Sequence, residues 1–125
     1  MIEYTVKVNI NGSKSWWLND KLHREDGPAI ERAEGSKLWY LNGKRHRENG
    51  PAVECADGSK EWYLNGKLHR ENGPAIEYAD GYKKWYLNDK KMSEDEWKKA
   101  LSPVRELTIA EISELLGYEV KVVKE

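Results

Sequence analysis

Apolar and polar positions alternate with a period of two through most of residues 2–91. Residues 2–10 set Ile2, Tyr4, Val6, Val8 and Ile10 against Glu3, Thr5, Lys7 and Asn9, which predicts a strand with one apolar face. Lys60-Glu61-Trp62-Tyr63-Leu64 also alternates and is rich in aromatic residues, so it reads as a strand. It ends at Asn65-Gly66, a pair that readily takes positive φ at both central positions of a type I′ turn. The equivalent pairs Asn19-Asp20 and Asn88-Asp89 lack glycine, but Asn and Asp tolerate the left-handed region. Lys67–Arg70 continues extended, Glu71-Asn72-Gly73-Pro74 has turn or bulge chemistry, and Ala75–Ala79 forms a second strand closed by Asp80-Gly81. After Lys91 the spacing becomes helical. Ser93 and Glu96 form a capping box that opens a helix with Trp97 and Leu101, and Ser102-Pro103 ends it. Thr108 and Glu111 form a second box, followed by Ile109, Ile112, Leu115 and Leu116 on one stripe and Gly117 as the C-cap. Tyr118–Val123 is strand-like.

The alternating segment repeats itself. Gly12, Gly35, Gly58 and Gly81 stand 23 positions apart and open three full copies and part of a fourth. A short fixed period means one supersecondary unit stacked on itself. An odd number of strands per copy would reverse the polarity of every successive unit. Two principal strands are therefore expected, with His-Arg-Glu-Asn-Gly-Pro as a bulged corner. Equivalent side chains would then lie about 10 Å apart, in columns. Alternation puts Trp16, Trp39, Trp62 and Trp85 on one face as packing residues, and Trp17, Tyr40, Tyr63 and Tyr86 on the other. The expected fold is α+β, mainly β: an elongated antiparallel sheet of 23-residue repeats with a C-terminal αβ cap. It is expected as one domain. Residues 1–91 form the array (1–11 a cap strand, repeats starting at 12, 35, 58 and 81), and residues 92–125 form a helix–helix–strand cap over its open end or face.

Composition narrows the function. Charged residues make up 34% of the 125 residues, yet the net charge is −1. This argues against binding to DNA or anionic lipid by bulk electrostatics. Cys55 is the sole cysteine, so no intramolecular disulfide or Cys-rich zinc site can form. It fills a slot that holds Arg32 in one copy and Tyr78 in another. No apolar run approaches membrane-spanning length and the first residues lack a signal pattern, so a soluble, cytoplasmic protein without a membrane partner is the expectation. Phe is absent while Trp numbers six and Tyr seven, which suits half-exposed sheet faces.

The repeat resembles the MORN family, whose units are of similar length and carry a W-x-x-N-G-K-x-H core. Here that core is Trp39-Tyr40-Leu41-Asn42-Gly43-Lys44-Arg45-His46 and Trp62-Tyr63-Leu64-Asn65-Gly66-Lys67-Leu68-His69. The Ala56-Asp57-Gly58 ending also fits. After the histidine, MORN units typically run G-x-G, whereas this chain has Arg-Glu-Asn-Gly-Pro-Ala, so it resembles a variant of the family. The H-R-E-x-G-P-A form is similar to repeats in small proteins of large tailed phages and giant viruses, some of which end in a segment like Leu107–Tyr118. The resemblance covers about residues 12–91. It implies a MORN-like β-sheet array that mediates protein or membrane contacts and, for a phage protein of this size, inhibition of a host defence factor.

Two sets of side chains are candidate binding residues. One is the basic row His23-Arg24, His46-Arg47 and His69-Arg70, with Lys21, Lys44 and Lys67 beside it. It could receive an anionic partner. Alternatively it is a structural ladder, in which each Arg pairs with Glu25, Glu48 and Glu71 or with Glu31, Glu54 and Glu77, while His donates to the corner backbone. No metal is expected, because histidines about 10 Å apart cannot share one ion. The other set is the aromatic column Trp17, Tyr40, Tyr63 and Tyr86, a binding surface if uncovered. Leu107–Tyr118 is similar to the first helix and turn of helix-turn-helix readers, but the β-favouring Glu119–Val123 leaves no recognition helix.

No nucleophile motif, phosphate loop or asymmetric carboxylate pair is present, so catalysis and a cofactor are not expected. The reading is a non-catalytic repeat module that binds a protein. Its alternatives are a nucleotide or nucleic-acid binder or sequesterer using the His-Arg row, and a structural or virion accessory protein. The pattern leaves a homo-oligomer open.

Overall fold

The fold comes from a computed structural model, which describes residues 3–102 and 108–116. The protein is mainly β, with two short helices toward its C-terminal end. The first strands are β1 (Thr5–Val8), β2 (Lys14–Leu18), β3 (Lys21–Leu22) and β4 (Ile30–Glu31). The second sequence copy supplies β5 (Lys37–Leu38), β6 (Tyr40–Leu41), β7 (Lys44–Arg45) and β8 (Val53–Glu54). The third supplies β9 (Lys60–Glu61), β10 (Tyr63–Leu64), β11 (Lys67–Leu68) and β12 (Ile76–Glu77). β13 (Lys83–Leu87) and β14 (Lys90–Met92) follow, then α1 (Glu94–Leu101) and α2 (Ile109–Leu116).

One long antiparallel sheet runs β1-β2-β4-β5-β8-β9-β12-β13-β14, with β3 branching from β2. Each middle copy contributes two strands to it, and the corner residues between hairpin and second strand form no strand. The pairs β6–β7 and β10–β11 are separate small ladders. The chain leaves the long sheet for its hairpin at the tryptophan. The Trp39 N–H donates to Ala52 O at 2.7 Å, and its carbonyl accepts the His46 N–H at 3.0 Å. The hairpin tips have the expected geometry, with φ of 51° at Asn42 and 79° at Gly43, and 50° and 63° at Asn19 and Asp20.

Register explains the charge pattern. Lys14, Glu31, Lys37, Glu54, Lys60, Glu77 and Lys83 are successive cross-strand neighbours, so unlike charges alternate across the sheet. The adjacent row carries Ile30, Leu38 and Val53 side by side. The buried apolar residues are Ala29, Leu38, Ala52, Val53, Ala75 and Ile76. The four tryptophans Trp16, Trp39, Trp62 and Trp85 are half-buried. They are packing residues, as expected; guanidinium covers Trp16, Trp39 and Trp62, and the Trp97 ring meets Trp85.

Copies are also joined outside the long sheet. The Gly43 N–H donates to Leu22 O at 2.8 Å and the Gly66 N–H to Arg45 O at 2.8 Å, tying each hairpin tip to the preceding hairpin. Ser13, Ser36 and Ser59 accept the N–H of Ala33, Ala56 and Ala79 at 2.9–3.0 Å, twenty residues on.

At the N-terminal edge, the apolar face of β1 lies open among the described residues: Val6 is 46% and Val8 61% exposed. The expected cover is seen only at the other end, where α1 packs against β13. The capping box forms as read, Glu96 N–H donating to Ser93 Oγ at 3.1 Å and Ser93 N–H to Glu96 Oε1 at 3.2 Å. Thr108 and Glu111 make the same reciprocal pair. The expected Ile2, Gly117 C-cap and Tyr118–Val123 strand lie outside the described residues, as do the side chains of Ile112, Leu115 and Leu116.

Candidate binding clefts between corners

The His-Arg pairs sit at the corners, where each makes one set of contacts three times. The guanidinium of Arg24 lies 3.9 Å from the centre of the Trp16 ring, Arg47 3.9 Å from Trp39 and Arg70 3.7 Å from Trp62. Nη1 donates to the carbonyl of Pro28, Pro51 or Pro74 at 3.1–3.2 Å. It also pairs with Glu31, Glu54 or Glu77 at 3.0–3.4 Å. Nε of Arg24 reaches Asp26 and Nε of Arg70 reaches Asn72, both at 3.0 Å. Of the two carboxylate sets open from sequence, the arginines therefore take the one seven residues on. The corner folds back to bring it there.

The glycine of each corner closes the other side of the guanidinium. A Cβ on Gly27 or Gly50 would meet the Arg24 or Arg47 Cζ at 3.1 Å, and one on Gly73 would meet Arg70 Cζ at 2.7 Å. A side chain at these positions would have to displace the guanidinium, most of all at Gly73. Each arginine is thus layered between an indole and a backbone, an arrangement in which cation–π attraction adds about 0.5–2 kcal/mol.

Each histidine faces the next copy. The N–H groups of Asn42, Asn65 and Asn88 donate to Nδ1 of His23, His46 and His69 at 2.8, 2.9 and 3.0 Å. An accepting Nδ1 carries no proton, so this geometry puts the ring hydrogen on Nε2. Nε2 points at Glu25, Glu48 and Glu71 at 3.4, 3.6 and 3.8 Å. The expected bond to the corner backbone is thus reversed: the ring accepts, and from the neighbouring copy.

The aromatic column Trp17, Tyr40, Tyr63 and Tyr86 is half-buried. Trp17 Nε1 donates to Ser15 Oγ at 2.9 Å, and Lys7 Nζ lies 4.2 Å from its ring. Arg45 reaches the hydroxyls of Tyr40 and Tyr63 at 3.2 and 3.4 Å. The Tyr63 hydroxyl donates to Glu61 at 2.9 Å. Burial and that carboxylate push its pKa up, so it stays protonated. Burial likewise raises the Cys55 thiol, which keeps it a poor nucleophile.

Between successive corners lie two open clefts of about 620 Å³ each. The first has Arg24–Pro28 as one wall and Trp39, Leu41, His46 and Arg47 as the other. The second repeats it with Arg47–Pro51, Trp62, Leu64, His69 and Arg70. A further cleft of about 590 Å³ lies near β1, touching Val8, Ser15 and Ile30. Sequence reasoning identified the His-Arg pairs but missed the corner glycines, the proline carbonyls and the space between corners. The recurrence of Gly-Pro-Ala after every His-Arg pair was the available signal.

Among the described residues no three His, Cys, Asp or Glu side chains group as metal ligands, and no helix is long and apolar enough to cross a membrane. Compared with known proteins, the chain matches no family model, and no curated protein matches it.

Proposed function

We propose that this chain is a non-catalytic repeat module, a variant of the MORN type, that binds a protein partner. The observation that carries this reading is the pair of equivalent clefts, each walled by an indole, a leucine and a polar corner. Their volume falls within the roughly 300–1,000 Å³ of sites that bury a side chain or small ligand. Aromatic residues and arginine in such pockets are the residue types that anchor protein interfaces. The phage resemblance adds a host protein as the partner class.

The rival reading, an anion site on the His-Arg row, is not favoured by the charges. Every arginine of the row already faces a carboxylate, and every histidine has its Nδ1 engaged by a backbone N–H of the next copy. The row would have to give up those partners to take a phosphate.

A photo-crosslinking amino acid at Asn49, which lines both clefts, tests the reading in the native cell. The expected product is an adduct with one predominant protein, formed also at high salt. Adducts with nucleic acid, or binding that weakens steeply with salt as phosphate contacts do, would refute it.

A further inference from the structure

The position equivalent to the two open clefts at the end of the array is filled by the chain itself. Trp97, on α1, donates its indole N–H to the Arg70 carbonyl at 2.8 Å. Its ring lies 4.6 Å from that of Trp85, tilted by 51°. It therefore bridges the start of one corner and the tryptophan of the next copy. Those are the two walls that line the open clefts as Arg24 with Trp39 and Arg47 with Trp62. The carbonyls of Arg24 and Arg47, the counterparts of Arg70 O, accept no hydrogen bond among the described residues.

We propose that the open clefts receive a tryptophan side chain presented by a helix of the protein partner, its indole N–H donating to the carbonyl of Arg24 or Arg47. This rests on the binding-module reading above and names the chemistry of its partner. One local difference bears on the contact. Ser93 stands where the earlier copies have arginine, so Trp85 is free to meet Trp97 directly. In the open clefts Arg47 and Arg70 lie over Trp39 and Trp62, so an entering indole meets that arginine–indole layer in place of a bare ring.

The rims define the neighbours of that tryptophan. With the arginines paired to other carboxylates, Glu25, Glu48 and Glu71 face only the histidines, and their side chains are 60%, 78% and 68% exposed. An acidic rim favours basic residues beside the tryptophan. The internal occupant carries both signs, with Asp95 and Glu96 before Trp97 and Lys98 and Lys99 after it, and Lys98 pairs with Glu94 at 3.4 Å.

The test uses the full chain and a blocked Glu-Trp-Lys-Lys peptide, the sequence of Glu96–Lys99, followed by amide NMR. Saturable shifts are expected at Glu25–Gly27 and Glu48–Gly50. The same peptide with an N-methylated indole should bind about fivefold more weakly, having lost one hydrogen-bond donor. Equal affinity for both peptides, shifts centred elsewhere, or no saturable shift at millimolar peptide would each overturn the proposal. Trp97→Ala adds an internal reference: it should bring a third set of shifts at Glu71–Gly73. Shifts at that set alone would also overturn the proposal. The wider reading fails separately: a protein adduct formed through Tyr40 or Tyr63, with the clefts silent to peptide, would keep the binding module and remove the tryptophan claim.

Discussion

His23 Nδ1 accepts the backbone N–H of Asn42 at 2.8 Å, across nineteen residues. This bond holds the tip of one hairpin against the corner before it, and the ring is buried. Replacing His23 by alanine leaves the Asn42 N–H without its acceptor, a loss of about 1–3 kcal/mol. An Asn side-chain oxygen sits close to where Nδ1 was. His23→Asn should therefore recover much of that loss in urea unfolding, and equal destabilisation by the two variants would argue against the bond.

The Gly73–Arg70 contact predicts a coupled pair. Gly73→Ala pushes a methyl group against a guanidinium already held by Asn72, Pro74 and Glu77. The expected cost is about 1–2 kcal/mol, in the range for overpacking. In an Arg70→Ala background the same change should cost little, because the obstacle is gone. A double-mutant cycle reads the difference; additive effects would contradict the layered corner.

Carboxylates at the turns and the helix cap predict acid sensitivity. Hydrogen bonds from Ser36, Ser59 and Ser93 hold Glu34, Asp57 and Glu96 below their ordinary pKa values of 4.5, 3.8 and 4.5. A folded-state pKa below the unfolded one means that the charged form is favoured by folding. That contribution is fully present above the ordinary value and is lost as pH falls through the depressed one. Through these groups the thermal midpoint should not vary with pH near neutrality and should fall below about pH 4.5. Glu34→Gln, Asp57→Asn and Glu96→Gln together should flatten that slope.

Much of this was legible along the chain. Asn42-Gly43 and its equivalents require positive φ, and only a few residue types supply it, so the hairpin tips were readable. The Ser93–Glu96 box was readable because its two partners are three residues apart. The partner of Arg47 was not, since Glu48 and Glu54 are equally plausible in sequence and only the fold-back of the corner selects Glu54. Trp39 was readable as a packing residue, but pattern does not show that a guanidinium covers its ring. Trp97 was readable as a helix residue, but its destination on Trp85 depends on what the fourth copy lacks.

The fully buried alanines Ala29, Ala52 and Ala75 predict intolerance to volume. Ala52 has no exposed surface and its carbonyl receives the Trp39 N–H. Ala52→Val should destabilise by about 1–3 kcal/mol through overpacking. Ala56→Val, at an exposed position, should fall within about 0.5 kcal/mol of the parent. Equal midpoints for the two variants would contradict the thin core described above.

The central claim is that the corners are spent on holding neighbouring copies together, which leaves the clefts between them as the binding surface. Long-range ¹H–¹⁵N spectra of the histidine rings test it most directly, because the tautomer reports which nitrogen is engaged. His23, His46 and His69 should all carry their ring hydrogen on Nε2, with Nδ1 accepting, and be unmoved by added oligonucleotide or nucleotide. Rings carrying the proton on Nδ1, or large shifts on adding those anions, would show that the row is free to bind ligand and would contradict the account.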